Sequence, residues 1–125
     1  MRVAIIEDSP ADLHLMQAAL DRYASEKKLC ILQETFDNAV SFLERYRAVY
    51  DVVFMDIRLP MLDGMAAARK LRDIDRTVPL IFITDMQQYA IQGYRVGAID
   101  YFLKPINYYD LKMRMDMLAV SDRGA

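Results

Sequence analysis

VVFMDIRLPMLDG, Val52 to Gly64, sets an apolar run of four residues directly against a carboxylate, Asp56, and follows it with Pro60 and the pair Asp63-Gly64. A short, unbroken apolar run closed by turn residues predicts a strand buried on both faces, as in the centre of a parallel sheet. An acid at the end of such a strand is held rigidly at the rim of the sheet. That is a place for chemistry or for a metal.

On either side the same pattern recurs. Val3–Ile6 is an apolar run stopped by Glu7-Asp8-Ser9-Pro10, and Leu80–Ile83 is another that ends in Thr84-Asp85. Cys30–Phe36 alternates loosely and predicts a strand, and Ile99–Leu103 predicts a fifth, ended by Lys104-Pro105. Between them the period changes to that of a helix. Leu13, Met16, Leu20 and Tyr23 share one face, with Ser9 or Asp8 as the cap and Pro10 in the first turn. A second helix follows Asp37 or Asn38, with Val40, Leu43 and Tyr46 or Arg47 along it. A third runs from Gly64 to about Asp73, with Met65, Ala68 and Leu71 on one side. A fourth, weakened by Gly93, is expected over Met86 to Val96. A last helix follows Asn107, carrying Tyr108, Leu111, Met115 and Leu118 at the 3.6 period. Strands alternating with helices predict an α/β fold, a doubly wound parallel sheet covered on both faces.

The 125 residues suit one domain, and 54% hydrophobic residues suffice for its core. Sixteen basic against eighteen acidic residues, a formal net charge of -2, give no reason to expect direct nucleic-acid binding. No apolar run approaches the roughly 18 residues of a membrane span. The start, MRVAII followed by acids, carries no secretion signal, and the single cysteine, Cys30, makes neither an internal disulfide nor a zinc cluster. A cytoplasmic location is expected. Residues 1–120 form the domain, and 121–125, small and polar, read as a tail or the start of a linker to an output domain not present here.

In such sheets ligands bind at the carboxyl ends of the strands. Glu7-Asp8, Asp56, Thr84-Asp85 and Lys104-Pro105 all stand at those ends. Crowded carboxylates repel and call for a cation, and all-oxygen ligation with room for water suits Mg²⁺. With a hydroxyl and an ammonium added, the set suits a carboxylate nucleophile that takes a phosphoryl group.

These residues, in this order, resemble the receiver domain of two-component response regulators: an acidic pair, an acceptor Asp, a Ser/Thr and Lys-Pro after strands 1, 3, 4 and 5. The segment ITDMQQYAIQGYRVGAIDYFLKPI further resembles receivers of the LytTR type, whose output domain binds DNA. The resemblance covers about Arg2 to Ala119. It implies the flavodoxin-like strand order 2-1-3-4-5 and phosphorylation of Asp56 by a sensor histidine kinase. It implies Mg²⁺ held by Asp8, Asp56 and the backbone carbonyl of Arg58, with Glu7 direct or through water. It also implies phosphoryl contacts from Thr84 and Lys104, an inward-turning Tyr101, and a cis peptide before Pro105. Kinase docking falls to the start of helix 1, around Asp12 and Leu15, with Ile106. The output is a switched face of helix 4, strand 5 and helix 5, with Tyr89, Tyr94, Tyr101 and Tyr108 or Tyr109 near it. That face would make a homodimer on phosphorylation, and DNA would be bound only through a domain outside this chain. Asp85, where many receivers have a small residue, departs from the pattern.

Other functions fit less well. A haloacid-dehalogenase-type phosphatase wants a second Asp two residues after the first, where this chain has Arg58. A nucleotide-binding flavodoxin-like domain wants a Gly- or Ser/Thr-rich loop after strand 1, where EDSPAD would repel phosphate. An ordinary enzyme is not expected. The alternative is a phosphorylation-independent pseudo-receiver, an interaction module with the same fold. Among single residues, Tyr101 reads equally as core packing, and His14 as a surface histidine. Most of the nine methionines read as packing, Cys30 as an inert strand residue, and the charge run Arg69, Lys70, Arg72, Asp73, Asp75 and Arg76 as a solvated helix face.

Overall fold

The structure, a computed structural model, describes the backbone of residues 1–124 and the side-chain surroundings of residues 1–119. Five strands alternate with helices: β1 Arg2–Ile6, α1 Pro10–Lys27, β2 Leu32–Phe36, α2 Ala39–Glu44, β3 Val52–Met55, α3 Gly64–Ile74 and β4 Leu80–Thr84. A 3₁₀ turn at Gln87–Tyr89 then leads into α4 Ala90–Arg95, β5 Asp100–Leu103 and α5 Tyr108–Gly124. All neighbouring strands are parallel, in the order β2-β1-β3-β4-β5.

The apolar runs are divided residue by residue between two cores. Val3, Ile5, Val52, Phe54, Ile81 and Ile83 meet Met16, Leu20 and Tyr23 of α1 and Leu111 and Met115 of α5. Ala4, Ile6, Val53, Met55, Leu80 and Phe82 meet α2 and α3 through Ala39, Phe42, Met65, Ala68 and Leu71. The period of two in a strand sends successive side chains to opposite faces, which is why an unbroken run is needed where both faces are covered.

Local signals account for most helix starts. The Ser9 side chain accepts from the Asp12 N–H, Asn38 from Ser41, and Asp63 from Ala66. Asn107 accepts from the Tyr109 and Asp110 N–H groups at the start of α5. α4 is the exception. It is six residues long, no side chain caps its start, and the expected single helix over Met86–Val96 is replaced by the 3₁₀ turn and this short α segment. Gly93 allows the close approach: a Cβ there would meet the rings of Phe82 and Tyr101 at 3.3 Å.

Other expectations are corrected. β2 begins at Leu32, so Cys30 lies outside the strand and is exposed. α2 ends at Glu44, short of Tyr46, and its fully buried residues are Ala39 and Phe42, while Leu43 and Tyr46 pack half-buried against the same core. Arg72 is no solvated side chain. Its guanidinium donates to the carbonyls of Asp75, Val78, Val96 and Gly97, tying α3 to the loops on either side of β4 and α4. α5 continues through residue 124, so residues 121–124 of the tail are helical backbone, and Ala125 lies outside the described residues. No helix among the described residues is long and apolar enough to cross a membrane.

The registers assemble the rim. Ile6 lies opposite Met55, which makes Glu7 and Asp56 neighbours, and Thr84 lies opposite Leu103, which puts Lys104 beside the end of β4. Gly64 fixes the turn that follows Asp56. Its N–H donates to the Ile57 carbonyl at 2.8 Å, and a Cβ on it would fall 2.0 Å from the Asp56 carbonyl oxygen. Gly64→Ala is therefore expected to lower the unfolding free energy by about 1–3 kcal/mol, read from chemical denaturation, because backbone must move to make room.

Candidate functional site

β1 delivers Glu7 and Asp8, β3 delivers Asp56, β4 delivers Thr84 and the segment after β5 delivers Lys104. β1 lies between β2 and β3, so the site sits where the strand order reverses, the usual ligand crevice of such a sheet. Glu7 is 7% exposed, Asp56 5% and Thr84 fully buried, whereas Asp8 is exposed. Carboxylate oxygens of Glu7, Asp8 and Asp56 lie within 4.8 Å of one another.

Lys104 joins these acids. Its Nζ lies 2.5 Å from Glu7 Oε1, 2.7 Å from Asp12 Oδ2 and 2.8 Å from Asp56 Oδ2. Asp12 is the surprise here. Sequence placed it only on a docking surface, yet the first turn of α1 aims it at Lys104. No local signal could have shown this, because its partner lies 92 residues away in the chain. The peptide between Lys104 and Pro105 is cis.

The electrostatics follow from burial and crowding. Burial pushes the Glu7 carboxyl up to about 7; hydrogen bonds from Lys104 and the Ser9 N–H oppose this, and the Asp56 charge adds to it. Burial works against the charge on Lys104, but its bonds to Asp12, Asp56 and Glu7 outweigh it and hold the ammonium ionised well above the usual lysine range. Asp56 Oδ1 accepts from the Arg58 N–H at 3.2 Å while Oδ2 faces Lys104, so this carboxylate is oriented at both oxygens.

Thr84 and Tyr101 hold the segment after β4 between them. The Met86 N–H donates to Thr84 Oγ1 at 3.3 Å, and the Tyr101 hydroxyl donates to the Met86 carbonyl. The Tyr101 ring packs on Phe82, with centroids 5.8 Å apart. Asp85 points to Arg58, 3.7 Å away, in an exposed pair at the rim. Leu15, Pro105 and Ile106 line the same cleft as Glu7, Asp12, Asp56 and Lys104. Tyr108 and Tyr109 are elsewhere: α5 packs beside α1, and the Arg22 guanidinium lies 3.9 Å from the Tyr108 ring centroid and 5.7 Å from that of Tyr109. Both face α1 from the start of α5. His14 is exposed on α1.

The acids suit a hard divalent cation. Three carboxylates converge from two strand ends, all donors are oxygen, and the one ammonium that pairs with two of them leaves the cluster net negative.

Known proteins share this arrangement of strands. The chain is 30% identical over 117 residues to the sensory transduction protein LytT of Oceanobacillus iheyensis, covering 85% of this chain and 48% of that protein. It is 32% identical over 108 residues to the transcriptional regulatory protein YpdB of Escherichia coli, covering 84% of this chain and 42% of that one. The chain thus spans about half or less of these relatives' length. The response regulatory domain of the protein mrkE from Klebsiella pneumoniae superposes with a TM-score of 0.83 over the whole of both chains, at 23% identity. The receiver domain of the sensor histidine kinase PA1611 from Pseudomonas aeruginosa, solved with a magnesium ion in its active-site cleft, superposes with a TM-score of 0.77 at 27% identity, over 94% of this chain and 95% of its own. Residues 3–116 match the response regulator receiver domain, and the chain belongs to that family.

Proposed function

We propose that this receiver domain is a phosphorylation switch whose acceptor is Asp56, supplied by a sensor histidine kinase in the cytoplasm. The observation that carries the reading is Asp56 itself: buried to 5% exposure, oriented through both oxygens, and within reach of Lys104 and the acids beside it. An Asp56 oxygen attacks the phosphorus of a phosphohistidine, the P–N bond breaks, and the imidazole leaves with a proton from solvent. Lys104 neutralises charge on the transferred oxygens, and the Thr84 hydroxyl, which accepts from Met86 N–H, still has its proton to donate to one of them. Glu7, Asp8, Asp56 and the Arg58 carbonyl would hold Mg²⁺, which supplies charge neutralisation for the incoming phosphoryl oxygens. The magnesium ion in the related PA1611 cleft supports that choice of cation. Leu15 and Ile106, with Asp12, form the docking edge for the kinase.

The output face is the surface of α4, β5 and α5. Thr84 and Tyr101 both hold Met86, so a shift of the Thr84 hydroxyl toward a phosphoryl group is felt at the start of α4. Exposed apolar residues stand on those elements: Ile91, Tyr94, Leu103, Met113 and Met117. They suit a homodimer contact made on phosphorylation. Since LytT and YpdB extend well beyond the matched region, the output is proposed to be transcriptional, through a LytTR-type DNA-binding domain outside this chain.

Incubation with acetyl phosphate should add one phosphoryl group by intact-mass spectrometry, dependent on Mg²⁺ and absent from Asp56→Asn. No addition to the folded wild-type protein, and no response to beryllofluoride, would favour a phosphorylation-independent interaction module.

Glu7 makes the cation site pH-dependent. Its folded pKa is raised, so in metal-free protein the protonated form is favoured. Its contribution to stability is full below the ordinary carboxylate value of 4.5 and is lost as pH rises through about 7. Mg²⁺ must displace that proton, so its affinity should rise between about pH 6 and about pH 8, and calorimetry should detect proton release at the lower pH. Glu7→Gln should bind more weakly and lose that part of the pH dependence.

In sedimentation velocity, Tyr94→Ala combined with Met113→Ala should weaken the dimer formed with beryllofluoride without changing the melting temperature by more than a few degrees. An unchanged dimer would place the contact elsewhere.

A further inference from the structure

An ammonium has three N–H bonds to give, and Lys104 has three carboxylate partners: Glu7, Asp12 and Asp56. Two of them belong to the acidic cluster at the strand ends, whose oxygens a bound cation would claim. Asp12 is different. It belongs to the first turn of α1, stands outside that cluster and is 36% exposed, yet its Oδ2 lies 2.7 Å from Nζ. Its hold on Lys104 does not compete with cation binding.

We propose that Asp12 is a positioning residue that competes with a phosphoryl group on Asp56 for the ammonium of Lys104. The inference rests on the phosphoacceptor reading given above. When Glu7 and Asp56 turn to a cation, Asp12 keeps Nζ beside the acceptor instead of releasing it to solvent. When Asp56 carries a phosphoryl group, its oxygens and Asp12 draw on the same single positive charge, and Nζ moves toward the phosphoryl group at the expense of its 2.7 Å contact with Asp12. Asp12 thereby stabilises the resting arrangement against the activated one. The bland role for an acid in a first helical turn is to favour the helix dipole. That role would affect stability and would be indifferent to Lys104.

The test is a double-mutant cycle on the 125-residue chain, with beryllofluoride as the phosphoryl mimic at saturating Mg²⁺, followed by tyrosine fluorescence. Asp12→Asn is expected to bind beryllofluoride about three- to tenfold more tightly than wild type, and the gain should vanish in a Lys104→Met background. In the Mg²⁺-loaded wild-type protein the ¹⁵Nζ resonance of Lys104 should be visible because Asp12 holds it, and in Asp12→Asn it should be lost to exchange. Equal or weaker beryllofluoride binding by Asp12→Asn overturns the proposal. So does a gain that persists without Lys104, which would be a through-space effect of charge alone. If wild type binds no beryllofluoride and takes no phosphoryl group while the Lys104 resonance still depends on Asp12, the ion pair stands. The phosphoacceptor reading then fails, and the competition fails with it.

Discussion

Lys104 places one positive charge among the carboxylates of Glu7, Asp12 and Asp56, and without it the carboxyl edge of the sheet would hold only mutually repelling acids. Glu7 and Asp56 are almost wholly buried. Leaving such charges unpaired destabilises a fold by several kcal/mol. The domain therefore needs a cation at this edge, and the ammonium satisfies that need in the arrangement described here. The strain of crowding persists even so, since burial and the Asp56 charge keep the Glu7 carboxyl raised. On the proposed reading, charge added at Asp56 enters this already unbalanced field, and the site responds.

That response is directed by rigidity on one side and softness on the other. Asp56 follows a strand with both faces in the core, and Gly64 packs against its carbonyl, so the carboxylate has little freedom. The segment after β4 is built differently. α4 is short, lacks a side-chain cap and docks through Gly93. A helix of six residues has little stability of its own and relies on what it packs against. Met86, at its entrance, is held by Thr84 through its N–H and by Tyr101 through its carbonyl. Arg72 binds the far end by the carbonyls of Val96 and Gly97. On the proposed reading, charge added at Asp56 acts on the least self-sufficient element of the fold, through the two residues that hold its start.

The rim is also shaped by pairs that blunt its charge. Asp85 would stand beside a phosphoryl group as an uncompensated negative charge, but Arg58 reaches it from the loop after Asp56. Both are exposed, so the pair contributes little to stability. Its effect is local, on the field at the mouth of the cleft.

The alternation of apolar runs and helical periods was legible in the sequence because each element answers to short-range rules: two-residue periods, 3.6-residue periods, and caps at Ser9, Asn38 and Asn107. So were the acids, the hydroxyl and the ammonium at the strand ends, because parallel topology makes those ends converge whatever lies between them. Neighbours far apart in the chain were not legible. Nothing local distinguishes Asp12 from any acid in a first helical turn, or Arg72 from its charged neighbours. Tyr108 and Tyr109 looked like part of the α4 and β5 surface until α5 was seen to pack beside α1. The 3₁₀ turn ahead of a six-residue α4 was not legible either, nor was the close docking of Gly93 against Phe82 and Tyr101. Periodicity and capping are properties of a few consecutive residues, and the chain carries them openly. Which side chain reaches which charge depends on helix rotation and strand register, and those are set only when the two cores close.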